Sequence, residues 1–274
     1  MSRLNYFHTK PKIQKIPIDE YLTRIQVAKN QPDLHYLKVL HKAHLLNIPY
    51  ENLDIYFNRN LPLDINKFYD RIITNQRGGI SIEVNLLFYH LLDALGFKCH
   101  LISGRIFYDG VLGPPFDLPL IVVLFNQELW LADVGSLSPF VEPKKIIGNQ
   151  VQLDYNQYFK FEQDPDENYI LKKSRDCIQF RNIYQFELKP KEIIQFMERY
   201  NYICDSPESK LRQNKIIFQH TPEGFIKLTD RELIIESKGQ EIKTTLLHED
   251  DFSAKLMQYF GLDYDQLLRQ RFNQ

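Results

Sequence analysis

The stretch QRGGISIEVNLLFYHLL, residues 76–92, joins a glycine pair to apolar residues at three- and four-residue spacing. That spacing predicts an amphipathic helix ending near Gly96, where a glycine can take the left-handed conformation that closes helices. Gly78-Gly79 predicts a tight turn into it, through backbone conformations that other residues avoid. Ser81 then falls at the helix mouth, among N–H groups with no intrahelical acceptor and at the positive end of the helix dipole. A nucleophile placed there has its ionised form stabilised, but serine is equally a preferred helix cap. The local pattern leaves both readings open.

Around this stretch the chain reads as one that folds in water. Its 274 residues can form one large or two to three small domains, and 43% hydrophobic with 25% charged residues is ordinary for a globular protein. Lys plus Arg total 34 against 35 for Asp plus Glu, so the net charge of −1 gives no electrostatic case for nucleic acid or an anionic membrane. The first twenty residues hold no continuous apolar run, so no secretory signal is expected. LPLIVVLF (118–125), the longest apolar run, is too short to cross a bilayer and suits a buried strand. Cys99, Cys177 and Cys204 are far apart and odd in number. Neither a metal site nor a disulfide framework is expected from them, and a reducing cytoplasm is the expected setting.

Residues 18–100 read mainly helical. LHYLKVLHKAHLLNI (34–48) has helical periodicity and stops at Pro49. From Cys99 the period becomes that of strands: CHLISGRIF, LPLIVVLF, LWLADVG, QYFKFEQ, NYILKKS and IQFRNIYQFEL. PKEIIQFMERYNYI (190–203) reads as a helix with Pro190 at its start, GFIKLTDRELIIES as a hairpin and EDDFSAKLMQYFGL as a closing helix. Helices, then strands, then a mixed end predict the α+β class.

Several segments then occur in one order: NIPYENLDIYF (47–57), RGGISIEVN (77–85), GFKCHLISGRIF (96–107), WLADVG (130–135), SPESKL (206–211) and PEGFIKL (222–228). Together they resemble the arylamine N-acetyltransferase family across most of the chain. The resemblance implies a core like that of cysteine proteinases and transglutaminases, in three parts. These would be an N-terminal helical domain (1–98), a β-barrel domain (99–189) and a C-terminal α/β lid (190–274). It also implies a Cys-His-Asp triad that passes an acetyl group from acetyl-CoA to an amine: the thiol is acylated, the His carries the proton and the Asp orients the His.

Transferred position by position, that triad is incomplete. The family frame Arg-Gly-Gly-x-Cys-x-Glu-x-Asn stands here as Arg77, Gly78, Gly79, Ile80, Ser81, Ile82, Glu83, Val84 and Asn85. Asp133 occupies the acid position, but the His position, fifteen residues earlier, holds Leu118, flanked by Asp117 and Pro119. His90 lies on the predicted helix of Ser81, but nine residues on, so it faces the opposite way about 13 Å along the axis. His100 reads as an alternating strand residue. The family's Asp-Val-Gly-Phe-Gly loop reads Asp133, Val134, Gly135, Ser136, Leu137, with a bulky side chain where a backbone would approach CoA. The framework of Glu51, Asn52, Arg77, Gly78, Gly79, Glu83 and Asn85 remains, with Glu51 expected to pair with Arg77.

A serine hydroxyl needs a positioned base, and none is evident. The sequence therefore predicts a degenerate triad and a pseudoenzyme that binds a small-molecule ligand without acetylating arylamines. The alternative is a repurposed acyltransferase or amide-forming enzyme. It would use Ser81 with acetyl-CoA or another acyl thioester as substrate, a carrier protein being one such donor. No bound cofactor is expected in either case.

Overall fold

The computed structural model describes residues 15–137 and 140–269, so most of the stretch read for a secretory signal lies outside the described residues. Residues 18–94 form a helical layer, and the helix Ser81–Ala94 runs through its middle. Residues 82–92 of that helix are buried on every side, which explains an apolar stripe too wide for a surface helix. Its end is the expected glycine cap. Gly96, at φ +93°, donates to Asp93 O (3.0 Å), and Phe97 N–H reaches back to Leu92 O (3.0 Å). Helix Leu34–Asn47 packs over it and starts where the Asp33 carboxylate accepts from Tyr36 N–H (2.6 Å).

Nine strands follow in one antiparallel sheet, from Cys99–Tyr108 to Arg181–Phe186. The sheet curls until its two outer strands meet: the Gln152 amide bonds both Lys145 N–H (2.9 Å) and Lys145 O (2.8 Å), and Lys144 pairs with Asp154 (2.7 Å). It is a nearly closed barrel. The strand Leu118–Phe125 is buried on both faces and shows why its sequence does not alternate. Leu118, Leu120 and Val122 point into the barrel core with Phe159, Phe161 and Tyr184, while Ile121 and Val123 join the helical core.

The C-terminal part holds four consecutive antiparallel strands, Ile216–Thr221, Gly224–Thr229, Glu232–Ser237 and Gln240–Thr245. The expected hairpin is thus the middle of a larger sheet. The fifth strand of that sheet is Tyr50–Glu51 from the helical layer, paired with Ile217 and Phe218. Helix Glu249–Phe260 covers one face and ends at Gly261, φ +65°. The helix expected from Pro190 starts later: Lys191 N–H bonds Leu101 O (2.8 Å), and a 3-10 turn at Ile193–Phe196 leads into Met197–Asp205. Holding Lys191 extended against the barrel is what delays it. This is an α+β fold. No helix among the described residues is long and apolar enough to cross a membrane.

Candidate functional site

Ser81 lies at the first position of its helix, not at the cap as the sequence also allowed. Ile80 is the cap residue, extended at φ −79°, ψ 169°, and its N–H donates to the Glu83 carboxylate (2.9 Å). A serine cap is unnecessary because Glu83 reaches back from the first turn. Glu83 is held in turn by Arg71 and by the Tyr200 hydroxyl (2.7 Å).

The glycine pair is explained by crowding and not by conformation, since neither glycine has a positive φ. A Cβ on Gly78 would meet Pro49 O at 2.2 Å, and one on Gly79 would meet Ile72 and Glu83, both at 2.7 Å. Arg77 places Nε and Nη2 on one Glu51 oxygen (3.0 and 2.6 Å) and Nη2 on Asp54 (3.1 Å). All three side chains are buried. Burial opposes the charge of Asp54, but Arg77, Arg71 and Arg59 outweigh it and hold that carboxyl below the usual range. The Asn52 side chain bonds Leu211 O, Asn214 O and Ile216 N–H (2.6, 2.7 and 2.8 Å), tying this framework to the C-terminal part.

Ser81 opens onto a cleft of about 1760 Å³ between the three parts of the fold, lined also by Tyr50, Tyr108, Ser136, Leu137 and Arg199. The Asp133 loop lies directly against it. A Cβ on Gly135 would come within 2.6 Å of Ser81 O and 2.7 Å of Asn85 Nδ2, so this backbone approach requires glycine. Asn85 bonds both Asp133 Oδ1 (2.9 Å) and Val134 N–H (2.8 Å), which fixes the loop to the helix.

Asp133 is fully buried and amply hydrogen-bonded. Besides Asn85, its Oδ1 accepts from Gly135 N–H (3.0 Å) and Ser136 N–H (3.1 Å), and its Oδ2 accepts from the Ser136 hydroxyl (2.5 Å). The Ser136 hydroxyl thus occupies Asp133 Oδ2. Burial and the Asp133 charge keep the Tyr184 hydroxyl protonated, well above its ordinary range. Leu118 lies in the barrel core with no exposure. Asp117, one residue before, is the side chain that lines the cleft, tied to Arg199 (2.7 Å) and the Tyr108 hydroxyl (2.6 Å). Leu137 is 37% exposed and lines the cleft as well. Among the described residues no histidine or carboxylate hydrogen-bonds the Ser81 hydroxyl.

One histidine touches the site from behind. His41, fully buried, accepts at Nε2 from Asp133 N–H (3.1 Å) and donates from Nδ1 to Val141 O (2.9 Å). Both nitrogens serve main-chain groups, so the ring is a neutral strut. Its helical periodicity in residues 34–48 gave no sign of this, because the contact crosses 92 residues. Burial pushes its pKa down from 6.5 to about 4. Above pH 6.5 the ring is neutral folded or unfolded; as pH falls from 6.5 towards 4 the unfolded chain takes the proton first, and stability drops. Over that window His41 should cost up to about 3 kcal/mol. Chemical denaturation between pH 7 and 4.5 should show it, with His41→Gln shallower by about one proton; equal slopes would remove His41 as the cause. Among the described residues no group of three or more His, Cys, Asp or Glu is placed to hold a metal ion.

A glycine-led helix mouth set against a barrel loop that carries a buried aspartate is the scaffold of acyl-transfer enzymes that use a nucleophile at a helix start. A family model described as N-acetyltransferase matches residues 33–268, and the chain belongs to the arylamine N-acetyltransferase family. The pineal gland isozyme of arylamine N-acetyltransferase from Gallus gallus is 24% identical, over 90% of this chain and 94% of its own length. The structure of the arylamine N-acetyltransferase from Mycobacterium abscessus is 26% identical, with a TM-score of 0.83 over 94% of this chain and 95% of that one. An arylamine N-acetyltransferase from Bacillus cereus, described as having a unique Cys-His-Glu catalytic triad, has the same fold at 22% identity, a TM-score of 0.81, and coverage of 90% and 98%.

Proposed function

We propose that this protein is a pseudoenzyme of its family: it does not acetylate arylamines from acetyl-CoA, and it binds a small molecule in the cleft beside Ser81. The observation that carries this reading is the state of Asp133, whose oxygens are taken by Asn85, Gly135 and Ser136 while Leu118 fills the barrel core. Acylation of a serine requires a group that removes its proton as the carbonyl is attacked. The Bacillus cereus enzyme is described with a different acid but keeps Cys and His; here Ser81 and Leu118 stand at those two positions. Leu137 further narrows the approach that a CoA thioester would use. Three free cysteines suit a reducing, cytoplasmic setting.

A second reading draws on Ser81 itself, which faces the cleft from the positive end of a helix. In that reading Ser81 is acylated by an acyl-CoA or a carrier-bound acyl group and passes it to an amine. Intact-mass analysis after incubation with acetyl-CoA, alone and with an arylamine, separates the two. The expected spectrum shows the unmodified chain, with no arylamide formed. An acetyl adduct on Ser81, or turnover at about 1 s⁻¹ or more, supports the second reading and overturns the first.

A further inference from the structure

We propose that the strand Gln240–Thr245 is a docking edge for a second copy of this chain, paired antiparallel with the same strand of that copy about a two-fold centred on Ile242. The strand ends its sheet: it pairs with Glu232–Ser237 on one side and, among the described residues, with nothing on the other. All six of its residues are exposed. Such an edge presents a row of free N–H and C=O groups, and folded proteins blunt it with a proline, a bulge, a very short strand or charge. The strand has no proline, and its register with Glu232–Ser237 runs unbroken over six pairs. Its two charges, Glu241 and Lys243, are of opposite sign, so a partner can answer them as well as be repelled by them. At the other end of the sheet Tyr50–Glu51 is two residues long and buried, and offers no such edge.

The hairpin decides which groups face outward. Lys238 and Gly239 form its two-residue turn, at φ 52° and 83°, and Leu246 N–H bonds Arg231 O (2.8 Å) at the far end. Antiparallel bonding alternates along a strand. Gln240, Ile242 and Thr244 therefore bond inward with Leu246, and Glu241, Lys243 and Thr245 turn their main-chain groups to the free edge.

Only residues with outward groups can exchange bonds across the new seam, so the register can change only in steps of two. Centred on Ile242, each Glu241 faces Lys243 of the second copy, and each such pair exchanges two main-chain bonds. A step one way sets Glu241 against Glu241; a step the other way sets Lys243 against Lys243. Opposite charges directly across a sheet stabilise it and like charges destabilise it, so the centre at Ile242 is favoured over both neighbours. Glu241 already faces Glu236 across its own hairpin, with Lys243 as its ion-pair partner (2.9 Å). The seam brings it a second lysine.

At the centre, the two Ile242 side chains form the non-hydrogen-bonded pair, in which side chains come closest. Each is 67% exposed in the single chain. Ile242 stands opposite Ile235, so their contact continues the apolar cluster that helix Glu249–Phe260 covers. The edge thus matches itself in charge and in apolar surface, as a two-fold contact requires.

The test is the mass of the whole protein by sedimentation, followed against concentration. A six-residue edge is a small interface, so dimer is expected at about 100 μM and monomer at about 1 μM. Glu241→Lys and Lys243→Glu should each weaken the dimer at least tenfold, because each sets like charges across the seam. Mixed in equal amounts, the two variants should dimerise again, since their charges then answer one another. Lys243→Pro, which removes an outward N–H and no bond within the sheet, should stay monomeric with an unchanged melting temperature. Monomer at every concentration would overturn the proposal, leaving the edge to another protein's strand or to none. Single-charge variants that dimerise like the natural chain, a mixture that stays monomeric, or a dimer kept by folded Lys243→Pro would overturn it too. Mass beyond the dimer would overturn the closed two-fold.

Discussion

Arg77→Ala should destabilise the fold by about 3–5 kcal/mol, because it leaves Glu51 and Asp54 buried without their main counter-charge. Glu51 is 3% exposed and Asp54 6%, so water cannot replace the guanidinium without opening the helical layer. The damage should spread to the C-terminal part, since Glu51 also holds Leu53 N–H (2.8 Å) and lies in the strand that pairs with Ile217. At about 2–4 °C per kcal/mol for a chain of this size, the melting temperature should fall by about 10 °C. Arg77→Lys should recover only part of this, because one ammonium cannot match the fork that bonds Glu51 twice and Asp54 once. An unchanged melting temperature for Arg77→Ala would mean that the pair braces nothing.

Gly78→Ala should cost about 3 kcal/mol or more, at or above the upper end of overpacking effects, although it adds a single methyl group. The methyl would sit 2.2 Å from Pro49 O and 2.7 Å from Glu51 Cγ. Neither neighbour can move cheaply. Pro49 O accepts from Gly79 N–H (3.3 Å), and Glu51 is held by Arg77. Relief requires the 77–80 segment to shift, which moves Ser81 away from the Asp133 loop. Gly148→Ala is the control: nothing lies within 4 Å of its Cβ position and its φ is not positive. Urea denaturation of the two variants should separate them by several-fold in effect, and equal midpoints would show that the close approach at Gly78 carries no energetic weight.

Much of this arrangement was legible because it is local. The run from Ser81 to Gly96 carries a helical period and a terminating glycine, and both stand in the fold. Leu118 heads an apolar run, and such runs are packed; it lies in the barrel core. Gly78-Gly79 reads as a pair needed for its conformation, but the fold needs their missing Cβ atoms, and a sequence does not distinguish the two. The polar strand Gln240–Thr245, exposed along its whole length, carries no alternation to announce it. Nor could the sequence show that Ser136 would take the Asp133 oxygen or that His41 would prop the loop from behind. These contacts depend on chain segments brought together only by the closed barrel, and no local period encodes them.

The Tyr50–Glu51 strand and the Asn52 side chain also set an order of events during synthesis. Asn52 finds its partners 159 to 164 residues later, at Leu211, Asn214 and Ile216. The helical layer therefore leaves the ribosome with a strand edge and a side-chain amide unanswered, and must wait until the whole barrel has been made. A chain stopped near residue 200 would keep that edge open to any other strand, a known route to aggregation. The segment that closes this edge, from Leu211 to Phe218, is made only after the barrel that separates it from Asn52.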